Sequence, residues 1–149
     1  MATDNHFDLV VLGSGQSGNP LAGAFASAGK RAVVVERALV AGTCINYGCT
    51  PTKTMVASAR RAHEARTSSE LGIEIPDFKV NLERIRQRKR DLVAQFRAGN
   101  ERRFEKGSPE LIRGEASFVG PREIRVQLNE GGERTLSASA VVIDTGLSP

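Results

Sequence analysis

The most constraining stretch of this chain is its first quarter, where an apolar run, a glycine-rich loop, an Ala-rich segment and a second apolar run follow without a break. Phe7 to Leu12 (FDLVVL) is short, apolar and partly β-branched, the pattern of a buried strand. Gly13-Ser14-Gly15-Gln16-Ser17-Gly18 comes next. Asn19 to Gly29 reads as a helix with a glycine stop, and Arg31 to Glu36 (RAVVVE) as a second strand. Pro20 is no obstacle, because a first helical turn tolerates proline. Strand, helix and strand in this order form a βαβ unit, and such units build parallel sheets.

The loop has the spacing G-x-G-x-x-G, a weak signal alone. It gains force because a strand precedes it, a helix follows it and an acid ends the next strand. Each glycine has a separate reason. Gly13 permits the tight turn, Gly15 lets a pyrophosphate approach the backbone, and Gly18 lets helix and strand pack closely. The free N–H groups and dipole at the helix start favour the anion. Glu36 stands 18 residues after Gly18. A carboxylate there can accept from both hydroxyls of an unphosphorylated ribose and would repel a 2′-phosphate, which argues against NADP in this site.

The chain has two cysteines, Cys44 and Cys49, inside Ala41-Gly42-Thr43-Cys44-Ile45-Asn46-Tyr47-Gly48-Cys49-Thr50-Pro51-Thr52-Lys53. Cys-x4-Cys brings two sulfurs within bridging reach when the chain curls into a helix start. Gly48 lets the backbone deform, and a helix beginning near Cys49 to Thr52 favours a thiolate at its N-terminus. Zinc normally takes four ligands, and neither His6 nor His63 has ligand-like spacing to the pair. A purely structural disulfide closing so short a loop would stabilise little. A redox pair is the reading that remains strongest.

The rest of the chain is less specific. Ala38 to Lys53 reads as a loop and Thr52 to about Ser69 as a basic helix. Leu71 to Asp77 reads as a connection, and Val80 to Lys106 as a long helix that Gly99 weakens or interrupts. Leu82, Ile85, Leu92, Phe96 and Phe104 lie roughly along one face of it. Short strands are expected at Ser117 to Val119, Glu123 to Leu128, Arg134 to Leu136 and Ala140 to Ile143, with turns at Gly120-Pro121 and Gly131-Gly132. The chain stops just after that last strand, so a piece of a larger domain is expected.

The net charge of +4 fits an anionic partner without naming one. Arg84 to Arg90 (RIRQRKR) is the densest basic run, and it reads better as a solvated helix face than as a nucleic-acid surface. Aromatic residues make up 5% and Trp is absent, which leaves no platform for stacking bases. Neither a signal peptide nor an apolar run of ~20 residues is seen, so no membrane span is expected and a cytoplasmic location is the default. In a reducing compartment a close cysteine pair is more often catalytic or metal-binding than structural.

Taken together, the GSGQSG loop and AGTCINYGCTPTK resemble the class I pyridine nucleotide-disulfide oxidoreductase family, whose redox motif is similar to GGTCxNxGCxPSK. Ala41 replaces a Gly and Thr52 a Ser. GSGQSGNPLA and CTPTK are most similar to the mercuric reductase-like branch, and dihydrolipoamide dehydrogenase belongs to the same family. The resemblance implies an α/β, Rossmann-like FAD-binding domain, a parallel sheet with helices plus a small antiparallel β-meander, truncated here. Residues 1–149 would be its N-terminal part, without the NAD(P)-binding and dimerisation domains.

The resemblance also implies roles. Cys44 would be the thiol exposed to substrate and Cys49 the thiolate against the flavin, with Lys53 near the flavin N5. Gly13, Ser14, Gly15, Gln16, Ser17 and Gly18, with Gly42 and Thr43, would hold the FAD pyrophosphate, and Glu36 its ribose. Arg37 joins the FAD-binding set. The backbone at Ala116, in Gly114-Glu115-Ala116, would meet the adenine. Val141 to Pro149 (VVIDTGLSP) is similar to the second flavin motif, ATGxxP, so Thr145 and Gly146 would touch the cofactor, while Asp144 puts a charge where that motif has Ala. NAD(P)H, a disulfide or Hg(II) substrate and a homodimer are implied for the full-length protein. The alternative is a flavin- or nucleotide-binding module whose cysteines are not redox-active.

Overall fold

The structure is a computed structural model that describes residues 5–107 and 109–147. Three elements build the expected βαβ unit: β1 (His6–Leu12), α1 (Gly18–Ser27) and β2 (Ala32–Glu36). β1 and β2 pair in parallel, Leu9 to Ala32 through Leu12 to Val35. All five residues of β2 are buried, because the strand is covered on both faces. The helix starts one residue before the expected Asn19 and ends two before Gly29. Gly29 supplies the left-handed stop, at φ 74°.

The segment after β2 departs from expectation. Ala38 to Lys53 is not a plain loop: it contains the short helix α2 (Gly42–Asn46), and α3 (Cys49–Thr67) already begins at Cys49. Asn46 folds the first of these by donating its side-chain amide to the carbonyls of Val40 and Gly42, both at 2.9 Å. Pro51 does not delay α3, since it falls in the first turn, where its missing N–H had no helical partner to lose. A single 3-10 turn, Ser68–Leu71, ends the segment that was expected to stay helical to Ser69.

Helix α4 (Leu82–Glu101) is shorter at both ends than Val80 to Lys106. Asn81 caps it, its side chain accepting from the Arg84 N–H at 2.9 Å. Gly99 does not interrupt it, because the glycine falls in the last turn and the helix needs only two more residues. The expected apolar face is only half covered: α4 has no fully buried residue, Ile85 and Leu92 are half-buried, and Leu82 and Phe96 are exposed. Phe104 lies beyond the helix and packs into the core instead.

The C-terminal strands are longer and fewer than expected. β3 (Glu110–Gly120), β4 (Glu123–Leu128) and β5 (Glu133–Ile143) replace four short strands. β3 starts early because Glu110 to Arg113 pair in parallel with β2 before Gly114 to Gly120 turn to β4. β5 is one strand across Ser137-Ala138-Ser139; its first half pairs antiparallel with β4 and its second half parallel with β1. The meander is therefore not an appendage. It shares β3 and β5 with the parallel sheet β5–β1–β2–β3 and closes it into a five-stranded barrel. The second turn falls where expected, with Gly131 and Gly132 at φ 94° and 86°, while the first is Pro121-Arg122, one residue later than expected, because Gly120 still belongs to β3.

One apolar cluster takes Val10, Leu12, Val33, Ile112, Val126 and Leu136 from all five strands and fills the barrel. A second packs the other face of β1 and β2 (Leu9, Val11, Ala32, Val34) on Ala22 and Phe25 of α1. A third, of Val40, Ala41 and Ile45, seats α2 against Phe104 and Leu111. These clusters fix the carboxyl ends of β1, β2 and β5 side by side, the edge where a doubly wound sheet binds ligands. No described helix is long and apolar enough to cross a membrane.

Candidate functional site

The glycine loop sits at that edge and three chain segments converge on it. Gly13 adopts φ 99°, and a side chain there would overlap the Asp144 carbonyl, so the β1 exit and the β5 exit touch through backbone alone. A Cβ on Gly42 would lie 2.9 Å from the Gly15 Cα, so α2 presses on the middle of the loop in the same way. A Cβ on Gly18 would meet Val11 at 2.6 Å, the close helix-to-strand packing expected of the third glycine. Among the described residues no partner takes the N–H groups of Gly15, Gln16 and Ser17. A bare backbone with free donors at a helix start fits an anionic diphosphate.

Ser14 behaves differently from its neighbours. It is buried, its hydroxyl donates to Glu36 Oε2 at 2.6 Å, and its N–H reaches the same oxygen at 3.0 Å. The hydroxyl in turn accepts the Ala41 N–H at 3.0 Å. Ser14 thus ties the acid of β2 to the segment that carries the cysteines. Glu36 also accepts the Ala38 N–H, at 2.8 Å, through Oε1. Three donors hold this carboxylate in place, and Oε1, which takes only one of them, keeps acceptor capacity for a hydroxyl.

Cys44 and Cys49 form a disulfide, with Cα atoms 4.8 Å apart. Cys44 closes from α2 and Cys49 from the first turn of α3, so the two short helices meet at the bond. Gly48 makes this possible: a Cβ there would press on the Thr43 carbonyl at 3.3 Å. Cys49 is exposed and Cys44 half-buried. Lys53 follows Cys49 by one helical turn, on the same face of α3, and is exposed. Ala41 holds φ 81°, the left-handed conformation that the Gly of the resembling motif would adopt freely, and offsets it by packing its methyl in the core.

The remaining expected residues surround this centre. Gln16 donates to the Ala41 carbonyl at 3.3 Å, and the Thr43 hydroxyl points to the Leu147 carbonyl at 3.5 Å. Gly146, at φ 70°, lies beside Thr43, and Thr145 and Gly146 are exposed. Arg37 pairs with Glu115 at 3.2 Å, which places Ala116 on the strand beside the Glu36 end of β2. Gly114 serves packing, since a Cβ there would collide with the Gln127 carbonyl and Val126 of β4. Ser148 and Pro149 of the expected second motif lie outside the described residues.

Two residues gain roles that spacing did not assign. Asn46 holds the cysteine segment in shape and receives Arg97 of α4 at 3.4 Å. Asp144 reaches across to α1: it accepts the Ser17 hydroxyl at 2.7 Å and the Gly18 N–H at 2.8 Å. Asn46 stands between the cysteines, where its local amide reach was a usable signal. The Asp144 contact joins residues 126 positions apart, so no local pattern could announce it. Among the described residues no cluster of His, Cys, Asp and Glu could hold a metal ion.

Comparison with known proteins agrees with the geometry. Residues 7–149 match the family described as pyridine nucleotide-disulphide oxidoreductase. The chain is 34% identical over 143 residues to a dihydrolipoyl dehydrogenase of Chlorobaculum parvum, covering 96% of this chain and 30% of that protein. It is 35% identical over 152 residues to a mercuric reductase of Streptomyces lividans, covering 96% of this chain and 31% of that protein. Among solved structures it is similar to the Cu(II) complex of the HOCl-induced flavoprotein disulfide reductase RclA from Escherichia coli, with a TM-score of 0.76 at 30% identity, over 97% of this chain and 30% of that one. The chain therefore spans about 30% of the length of these relatives. With the family model covering nearly the whole chain, this chain belongs to the pyridine nucleotide-disulphide oxidoreductase family.

Proposed function

We propose that the chain is the N-terminal, flavin-holding part of a longer disulfide oxidoreductase. In it, electrons from NAD(P)H reach the Cys44–Cys49 pair by way of FAD and pass to a disulfide or to Hg(II). The observation that carries this reading is the Cys44–Cys49 disulfide at the start of α3, joined through Gly42 to a glycine loop with free N–H donors. The loop residues Gly13, Gly15, Gln16, Ser17 and Gly18, with Gly42 and Thr43, would hold the diphosphate. Ser14 would act through Glu36, which meets the ribose, and Arg37 and the Ala116 backbone would flank the adenosine end. Thr145 and Gly146 would close the site from the β5 side. Bound there, FAD would supply the step between hydride and thiol chemistry.

The residues of this chain do the thiol part. A two-electron reduction breaks the Cys44–Cys49 bond and leaves two sulfurs. The helix start favours Cys49 as thiolate, and Lys53 adds positive charge one turn away. Cys44 attacks a substrate disulfide and one thiol leaves. Cys49 then attacks Cys44, which restores the bond and releases the second thiol. In sum NAD(P)H, a proton and a disulfide become NAD(P)+ and two thiols; with Hg(II) the same electron pair goes to the metal. The reading includes a cytoplasmic homodimer for the longer protein and no turnover by the 149 residues alone.

A visible spectrum tests the assignment. Partial reduction of the full-length protein is expected to give a long-wavelength charge-transfer band, which Cys49→Ser abolishes. Identical spectra for the two proteins would remove the redox role and leave a nucleotide-binding module.

A further inference from the structure

We propose that Asp144 sets the affinity of the glycine loop for its cofactor by occupying part of the positive end of α1. The inference rests on the reading of the loop as a diphosphate site. Helix α1 has no acid in its first turn, and its N-cap residue Ser17 makes no capping bond of its own. The charge that a helix start attracts comes instead from the end of β5. Asp144 Oδ2 accepts the Gly18 N–H at 2.8 Å, and Oδ1 accepts the Ser17 hydroxyl at 2.7 Å. The same carboxylate lies against the loop's central glycine: a Cβ on Gly15 would sit 2.7 Å from Oδ2.

Two consequences oppose each other. Without cofactor, the carboxylate satisfies one orphan N–H and complements the helix dipole, which stabilises the loop. With a diphosphate on the Gly15, Gln16 and Ser17 amides, a fixed negative charge stands within a few ångströms of it. The helix end is already partly neutralised and like charges repel. Asp144 thus exchanges cofactor affinity for stability of the empty loop.

Asp144→Asn keeps an acceptor for Gly18 and a partner for Ser17 while removing the charge; Asp144→Ala installs the residue usual in the resembling motif. The full-length protein and both variants would be stripped of cofactor, melted, and titrated with FAD by flavin fluorescence. Both variants are expected to melt lower than the parent when empty, yet to bind FAD about tenfold more tightly or better. FAD bound by all three proteins, with no gain or with a loss in either variant, would overturn this inference and leave the flavin reading standing. Failure of all three to bind FAD would overturn the flavin reading itself and this inference with it.

Discussion

The barrel and the α3–α4 pair are held in opposite ways. Every strand of the barrel contributes to one continuous apolar interior, and β2 has no exposed residue. The two helices together bury a single residue, Thr54. Val56, Leu71, Ile73, Phe78, Val80, Leu82 and Phe96 all lie exposed in this half. Arg88 of α4 holds the two helices together by donating to the Thr54 carbonyl of α3 at 3.2 Å, and Arg97 ties them to α2 through Asn46. The disulfide stands on the seam: its Cys44 side is seated on the core by Ile45, and its Cys49 side opens the thinly buried α3. Under the proposed redox role the bond would break and reform, and such a place leaves one partner anchored and the other at the edge.

The comparison is broken most directly by paired truncations. Leu136 is fully buried in the barrel, and Leu136→Ala is expected to cost ~2–5 kcal/mol of stability through lost burial and a cavity. Phe96→Ala on α4 removes a larger side chain, but one 48% exposed, and is expected to cost less than about 1 kcal/mol. Urea denaturation of the full-length protein measures both. Equal costs would mean that α4 is as firmly packed as the barrel.

A smaller effect sharpens the contrast at the site. Ser14→Ala removes the hydroxyl that donates to Glu36 and accepts from Ala41, so a buried N–H loses its partner. A cost of about 1–3 kcal/mol is expected. The thermal midpoint should fall, and FAD affinity with it, because Glu36 keeps only backbone donors. A variant as stable as the parent would show that the link between β2 and the cysteine segment is dispensable.

What could be read from residues alone follows the same division. Phe7 to Glu36 was legible because each signal there is local and agrees with its neighbours: an apolar run, spaced glycines, an acid at the strand end. The strand ends after residue 110 were not. Ser137-Ala138-Ser139 carries no strong strand preference, and β5 runs through it only because β4 and β1 lie on either side to pair with it. The α4 periodicity predicted an apolar face, yet that face is only half covered, with Leu82 and Phe96 exposed, since a pattern states what a helix can bury and not what is there to cover it. Within the site, the cysteines and glycines announced themselves by spacing. Asp144 announced itself only by standing where an Ala was expected.

The smallest expected effect belongs to an exposed ion pair of the helical half. Arg90 donates to Glu83 at 2.9 Å, two turns along α4. That hydrogen bond first, and the charge of Arg90 next, hold the Glu83 carboxyl below the usual carboxylate range against a small opposing desolvation. A carboxyl lowered in the folded state stabilises it above the unfolded value, near ~4.3, and loses that contribution as pH falls through the folded value. Both partners lie in water, so salt screens the pair and the side chains lose freedom to make it. Glu83→Gln is therefore expected to move the thermal midpoint at pH 7 less than Phe96→Ala does. The difference should shrink further in high salt and vanish in acid below the folded value. A fall at pH 7 as large as that of Ser14→Ala would show that an exposed pair on α4 supports the fold as strongly as a buried bond at the barrel edge, and the contrast between the two halves would fail.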